Sequence, residues 1–165
     1  MNSPFELASG REISADEERA LRFVSACLKA EKAALALTAN AEQTVYGLSH
    51  KLTARGYTEN CVKPVVAHLI DLGVVNDERY ARFWLEARLF SKTDSPRKLF
   101  ASLRNKGIER KTAERAFKTV LDFEQEQTLL KKYLKKLEKT GKPIERRLLK
   151  QEGFSYEAIE AELER

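Results

Sequence analysis

Cysteine is scarce in this chain: two residues among 165, Cys27 and Cys61. They stand far apart in sequence, with no Cys-x-x-Cys and no neighbouring His pair. That pattern argues against a disulfide framework and a thiolate metal site, and it fits a reducing cytoplasm. Proline and glycine are also few, four and seven, and no stretch alternates apolar and polar residues as a strand would. No apolar run approaches the roughly 18 residues of a membrane span. The opening Met-Asn-Ser-Pro-Phe-Glu-Leu has neither the basic start nor the apolar core of an export signal. Missing too are a glycine-rich phosphate loop, a nucleophile elbow and paired acids at catalytic spacing. His50 and His68 have no carboxylate or cysteine partner in a motif. The expectation is a soluble cytoplasmic protein that is not an enzyme and has no catalytic residue, metal ligand or cofactor.

What is present is charge on good helix formers. Charged residues make up 33% and hydrophobic ones 42%, and Lys, Arg and Glu dominate the former, so the fold class is all-α. Residues 1–13 carry no periodicity. Ser14-Ala15-Asp16-Glu17 reads as a capping box opening a long helix to about Leu37. Leu21, Val24, Leu28 and Leu35, flanked by Ala20, Cys27 and Ala34, form its apolar stripe. Thr38-Ala39-Asn40 ends it.

An internal repeat follows. Leu48-x-x-x-Leu52-x-x-x-Gly56-Tyr57-Thr58 returns as Leu99-x-x-x-Leu103-x-x-x-Gly107-Ile108-Glu109, and more weakly as Leu149-x-x-x-Gly153-Phe154-Ser155. In each copy a short helix closes on a left-handed glycine, an apolar residue packs back, and a polar residue caps the next helix. The period of about 50 residues leaves room for three helices. The expected organisation is an N-terminal extension with one long helix over 1–40, three-helix repeats over 41–91 and 92–140, and a partial repeat over 141–165. Such units would form an elongated array, the last borrowing cover from the helix before it. Pro64 is awkward inside its helix unless that helix kinks or starts later.

Gly73 closes one helix, and Asn76 caps the next, with Asp77 and Glu78 on its first turn where the dipole favours them. That helix carries Tyr80, Phe83 and Trp84 on one side and Leu85 and Leu89 on the other, so it should be covered from two sides. Arg88, one turn after Trp84, can stack on the aromatic face for roughly 0.5–2 kcal/mol. Base stacking by the aromatic trio is possible, but helical spacing favours a packed core.

The basic excess belongs to the second half. Residues 92–165 hold nineteen Lys/Arg against thirteen Asp/Glu, whereas 41–91 balance at six each. One cluster comprises Arg97, Lys98, Arg104, Lys106, Arg110 and Lys111, with Arg88 and Lys92 just before it. In a second, Lys131, Lys132, Lys135, Lys136 and Lys139 fan over a helix whose other face is Leu130, Tyr133, Leu134 and Leu137, and Arg146 and Arg147 follow. These are the candidate contacts to a polyanionic partner, set against a solvated amphipathic surface. The tail 151–165 is acidic, five against one. A helix-turn-helix reading is weaker. Only the helix after Gly107, with Arg110, Lys111, Glu114, Arg115 and Lys118, offers a usable reading head, which favours backbone or protein contact. Gly56, Gly73, Asn76, Tyr80, Trp84, Gly107 and Gly153 are assigned structural roles.

These residues resemble a known family. Val75-Asn76-Asp77-Glu78-Arg79-Tyr80-Ala81-Arg82-Phe83-Trp84 followed by Arg88 is similar to the signature of RecX, the bacterial regulator of the RecA recombinase. Pro96-Arg97-Lys98-Leu99 through Leu103-Arg104-Asn105-Lys106-Gly107-Ile108 resembles its next segment, and Gly153-Phe154-Ser155-Tyr156-Glu157-Ala158-Ile159 its last. The likeness covers about 34–163. Gly47 departs from it by replacing an acid, as do Gln151-Glu152 by replacing a basic pair. The resemblance implies an all-helical array of three-helix units that binds the RecA–single-stranded DNA filament. There it would restrain strand exchange, ATP hydrolysis and repressor cleavage, and so act in the SOS response and DNA repair. A monomer is expected. The rival readings are a helical protein that binds nucleic acid directly without a recombinase, and a purely structural helical adaptor.

Overall fold

The computed structural model describes residues 12–164, and among these it is helical with no strand. The helices are α1 (Ala15–Asn40), α2 (Val45–Ala54), α3 (Glu59–Asp71), α4 (Asp77–Ser91), α5 (Pro96–Asn105), α6 (Arg110–Val120), α7 (Phe123–Lys139), α8 (Arg146–Gln151) and α9 (Tyr156–Leu163). Of the aperiodic residues 1–13, all but 12 and 13 lie outside the described residues.

Local chemistry explains the starts and stops. Ser14 and Glu17 complete the capping box of α1, and the side chains of Thr44, Asn76, Ser95, Asp122 and Ser155 cap five further helices. Gly47, the departure in α2, has its N–H bound to the Thr44 hydroxyl at 2.9 Å. The three repeat glycines end their helices identically. The amides of Tyr57, Ile108 and Phe154 donate back to the carbonyls of Leu52, Leu103 and Leu149 at 3.2–3.3 Å, the Schellman closure. Ile108 and Phe154 are buried behind it. The helix through Pro64 neither starts later nor ends there. Pro64 and Asn60, whose carbonyl loses its donor, both face solvent, which limits the cost.

Packing repeats every three helices. The first helix of each triplet lies on the third: α1 on α3, α4 on α6, α7 on α9. A period has no intrinsic origin, so the sequence motif and the packing cut one array at different points. Two separate cores result. One joins α1–α3 through Ala30, Ala34, Leu48, Leu52, Val65, Leu69 and Val75. The other joins α4–α9 through Leu85, Leu99, Leu103, Leu130, Leu149 and Ile159. Each fully buried leucine contributes about 1.5–3 kcal/mol. The face of α1 differs from expectation. Ala30 and Ala34, with Cys27 beside them, pack inward, while Val24, Leu28 and Leu35 are exposed. Small side chains let α1 lie against the branched residues of α3. The aromatic face of α4 differs as well: Ala81 and Leu85 are its buried residues, Tyr80 and Trp84 are half-buried, and Phe83 is exposed.

Polar contacts join successive triplets at equivalent places. The Thr44 hydroxyl donates to the Lys106 carbonyl at 3.0 Å, just before Gly107. One period later the Ser95 hydroxyl donates to the Glu152 carboxylate, and the Arg97 amide donates to the Glu152 carbonyl at 2.9 Å, just before Gly153. Glu152, a departure from the family pattern, thus ties α8 to α5. At the first joint Val45 N–H also reaches the Asp77 carboxylate at 2.9 Å, and Arg79 bridges Glu42 at 2.7 Å. Burial pushes the Asp77 carboxyl up, and the Val45 N–H opposes it.

Candidate functional site

The ends of α4, α5 and α7 converge on one carboxylate, Asp94, in the link between α4 and α5. Lys98 lies 2.6 Å from it and Arg88 3.7 Å. The Lys98 hydrogen bond, together with the charges of Lys98, Arg88 and Lys136, holds its carboxyl below the usual range against the opposing effect of burial. Lys136 is anchored beside it, donating to the Thr93 carbonyl at 3.1 Å. From Arg88 the strip continues along α4 and α5. The Arg88 guanidinium sits 5.4 Å from the Trp84 ring, and the Lys106 ammonium 5.7 Å from the same ring and 5.9 Å from that of Tyr80. Four cations, Arg88, Lys98, Lys106 and Lys136, therefore share one strip with Asp94. The sequence clusters at 97–111 and 131–150 are brought together here, through a residue that sequence reasoning passed over.

A second group adjoins the first. Arg97 pairs with Glu152 at 2.7 Å. Tyr133 lies between: burial and the Glu152 charge push its phenol up, while Arg97 and Lys98 pull it down. The Ser95 hydrogen bond first, then that of Arg97, hold the Glu152 carboxyl low against burial, with the Arg97 and Lys142 charges adding to them.

The other candidate cations divide into struts and solvent-facing groups. Arg104 donates to the Ile108 carbonyl at 2.6 Å and Lys132 to the Leu89 carbonyl at 3.2 Å, so both close helix ends. Arg110 pairs with Glu114 on its own helix. Lys131 lies 3.6 Å from Glu162, and Arg146 lies 3.2 Å from Glu160 and 3.8 Å from Glu164. The acidic tail thus folds back on the second basic cluster. Lys92, Lys111, Lys135, Lys139 and Arg147 are exposed. Lys132 and Lys136 are exposed, and their ammonium groups also donate to carbonyls at and just beyond the end of α4. The site roles missed in sequence are those of Asp94 and Lys142, of Tyr133, read there only as part of an apolar face, and of Glu152, read there only as a departure from the family pattern. Only Asp94 carried a signal, as an acid flanked by bases at 92, 97 and 98.

Cys27 and Cys61 meet between α1 and α3. Burial first, then the Cys61 thiol, push Cys27 up to about 11. Among the described residues no group of three His, Cys, Asp or Glu is arranged to hold a metal, and no helix is long and apolar enough to cross a membrane.

Comparison with known proteins agrees with this architecture. A family model described as RecX, second three-helix domain, matches residues 76–116, which run from the cap of α4 into α6. The regulatory protein RecX of Treponema pallidum subsp. pallidum is 32% identical over 122 residues, covering 74% of each chain. That of Caldanaerobacter subterraneus subsp. tengcongensis is 24% identical over 159 residues, covering 95% of this chain and 80% of the relative. A crystal structure of regulatory protein RecX superposes with a TM-score of 0.80 at 23% identity, covering 96% of this chain and 82% of that one.

Proposed function

The chain belongs to the RecX family, and from that premise we propose that it binds the filament of RecA on single-stranded DNA and modulates it, chiefly by inhibiting recombinase and coprotease activity. The observation that carries this reading is the strip on α4, α5 and α7, where four cations stand with the Asp94 carboxylate. Such a surplus favours a polyanionic surface. The tandem build supports it too, because a row of triplets can touch several subunits of a fibre. Lys135 and Lys139, on the outer face of α7, extend the basic surface, whereas Lys132 and Lys136 act as struts that also set its shape.

If about six of these charges meet phosphates of a single strand, affinity falls roughly 10²–10³-fold between 50 and 200 mM salt. Binding to bare single strand, duplex and RecA-coated strand, measured in parallel at two salt concentrations, tests the reading. The expected result is clear preference for the coated strand, with loss of RecA ATP hydrolysis and repressor cleavage on binding. Equal binding to bare and coated strands would transfer the function to direct nucleic-acid binding. No binding to any of the three would leave a structural adaptor.

A further inference from the structure

We infer that the recess between α4 and α5, bounded by Trp84, Arg88, Ser102, Asn105 and Lys106, seats one backbone phosphate of a single nucleic-acid strand. This rests on the strip being the contact surface proposed above and names the chemistry at one point on it. The recess is open and has a volume of about 470 Å³. Its lining is rich in donors and cations. The buried Nε of Arg88 faces Asp94 at 3.7 Å, a carboxylate that already holds Lys98, and the terminal guanidinium nitrogens make no hydrogen bond among the described residues. Lys106 touches rings but no carboxylate among the described residues. Two like charges gathered around one indole repel each other, and what lowers that energy is an acceptor-only anion between them.

Both cations are held in position. Arg88 follows Trp84 by one helical turn. The Lys106 backbone is held by the Gly107 turn and by the Thr44 hydroxyl on its carbonyl, and its ammonium rests over the Trp84 and Tyr80 rings. The seat is therefore built before a ligand arrives, which spares the ordering cost of binding. The rings of Tyr80 and Trp84 are already engaged by cations, so an oxyanion suits the recess better than a base. A phosphodiester is favoured over a lone carboxylate because the cations continue in a row. Lys98 and Lys106 are eight residues apart on α5 and its cap, about 12 Å along the axis, a span that one strand bridges while placing a separate phosphate at each end.

The test is fluorescence anisotropy of the full chain with labelled oligothymidylate and oligoadenylate over a salt series. Lys106→Gln should weaken binding roughly fivefold to tenfold for both sequences and lower the salt slope by about 0.7. Asn105→Asp, which puts a negative charge at the rim, should weaken it at least as much. Lys63→Gln, on the solvent face of α3, should change neither, and far-ultraviolet circular dichroism should match wild type throughout. Unchanged affinity and slope in Lys106→Gln and Asn105→Asp would overturn the seat. So would a loss confined to one base, or polyglutamate competing as well as oligothymidylate at equal charge. Running RecA-coated strands alongside separates the two readings. If the seat fails while coated strands are still preferred, the proposed function stands. If the oligonucleotide effects appear without preference for coated strands, the seat stands and the proposed function falls.

Discussion

Gly107 is where one residue serves both the backbone and the joint between triplets. Its φ is +83°, and a Cβ built there would sit 2.2 Å from the Tyr46 Cβ. Gly56 is its counterpart one period earlier, at φ +89° with nothing within 4 Å. Gly56→Ala should therefore cost only the left-handed backbone penalty, about 1–2 kcal/mol. Gly107→Ala adds overpacking against Tyr46, a further ~1–3 kcal/mol. Urea unfolding should rank them in that order, and because the closest atom is the Tyr46 Cβ, which alanine would keep, Tyr46→Gly should recover most of the difference in the double variant when compared with Tyr46→Gly alone. Equal losses in the two alanine variants, with no recovery, would show that Tyr46 does not press on Gly107. Because Lys106 precedes this glycine, the same variant should also loosen the cation that faces Trp84.

At the scale of elements, caps and glycine closures are local chemistry, so the helix boundaries could be read from the sequence to within a few residues. Facing was harder. α1 carries one broad apolar stripe in the sequence, and it is its small-residue edge, Cys27 and Ala34 joined by Ala30, that packs inward, while Val24, Leu28 and Leu35 stay exposed. The choice is made by α3, whose Cys61 and Val65 favour small partners, and no window on α1 contains that information. The same holds for the lysines of α7. Their spacing shows a cationic face, but not that Lys132 and Lys136 reach carbonyls 43 residues earlier or that Lys131 meets Glu162. The α5–α8 joint gives a pH prediction. Glu152 titrates below its ordinary value in the fold, chiefly through the Ser95 hydroxyl. As pH falls from the ordinary glutamate range, the unfolded chain takes up that proton first. The stabilisation is therefore complete at neutral pH and is lost as pH drops through the lower folded value. Glu152→Gln should flatten that acid limb of stability, measured by urea unfolding between pH 6 and about pH 3. An unchanged acid limb would mean that other carboxylates, Asp94 foremost, carry it.

For the whole molecule, the decisive feature is that α1–α3 and α4–α9 keep separate apolar cores joined by hydrogen bonds and ion pairs. Joints of this kind resist separation less than a shared core does: the Arg79–Glu42 pair is open to water, and the partly buried Thr44 and Val45–Asp77 bonds each contribute only about 0.5–3 kcal/mol net. In a repeat array the stability of each unit is then set mainly by its own core and its nearest neighbour. Leu69 is fully buried in the first core, and Leu69→Ala should cost about 2–5 kcal/mol. Hydrogen exchange should place that loss unevenly: amides of α1–α3 lose protection by the full amount, while those of α5–α9 keep most of theirs. Leu103→Ala, in the second core, should give the converse pattern. Uniform loss across all helices in both variants would show one cooperative body. The uneven pattern has a functional consequence, because the cations of the basic strip all stand on the second core and the first reaches it only through the Thr44 bond to the Lys106 carbonyl. Leu69→Ala should therefore lower oligonucleotide affinity no more than Thr44→Val does, at temperatures where α1–α3 have already lost protection.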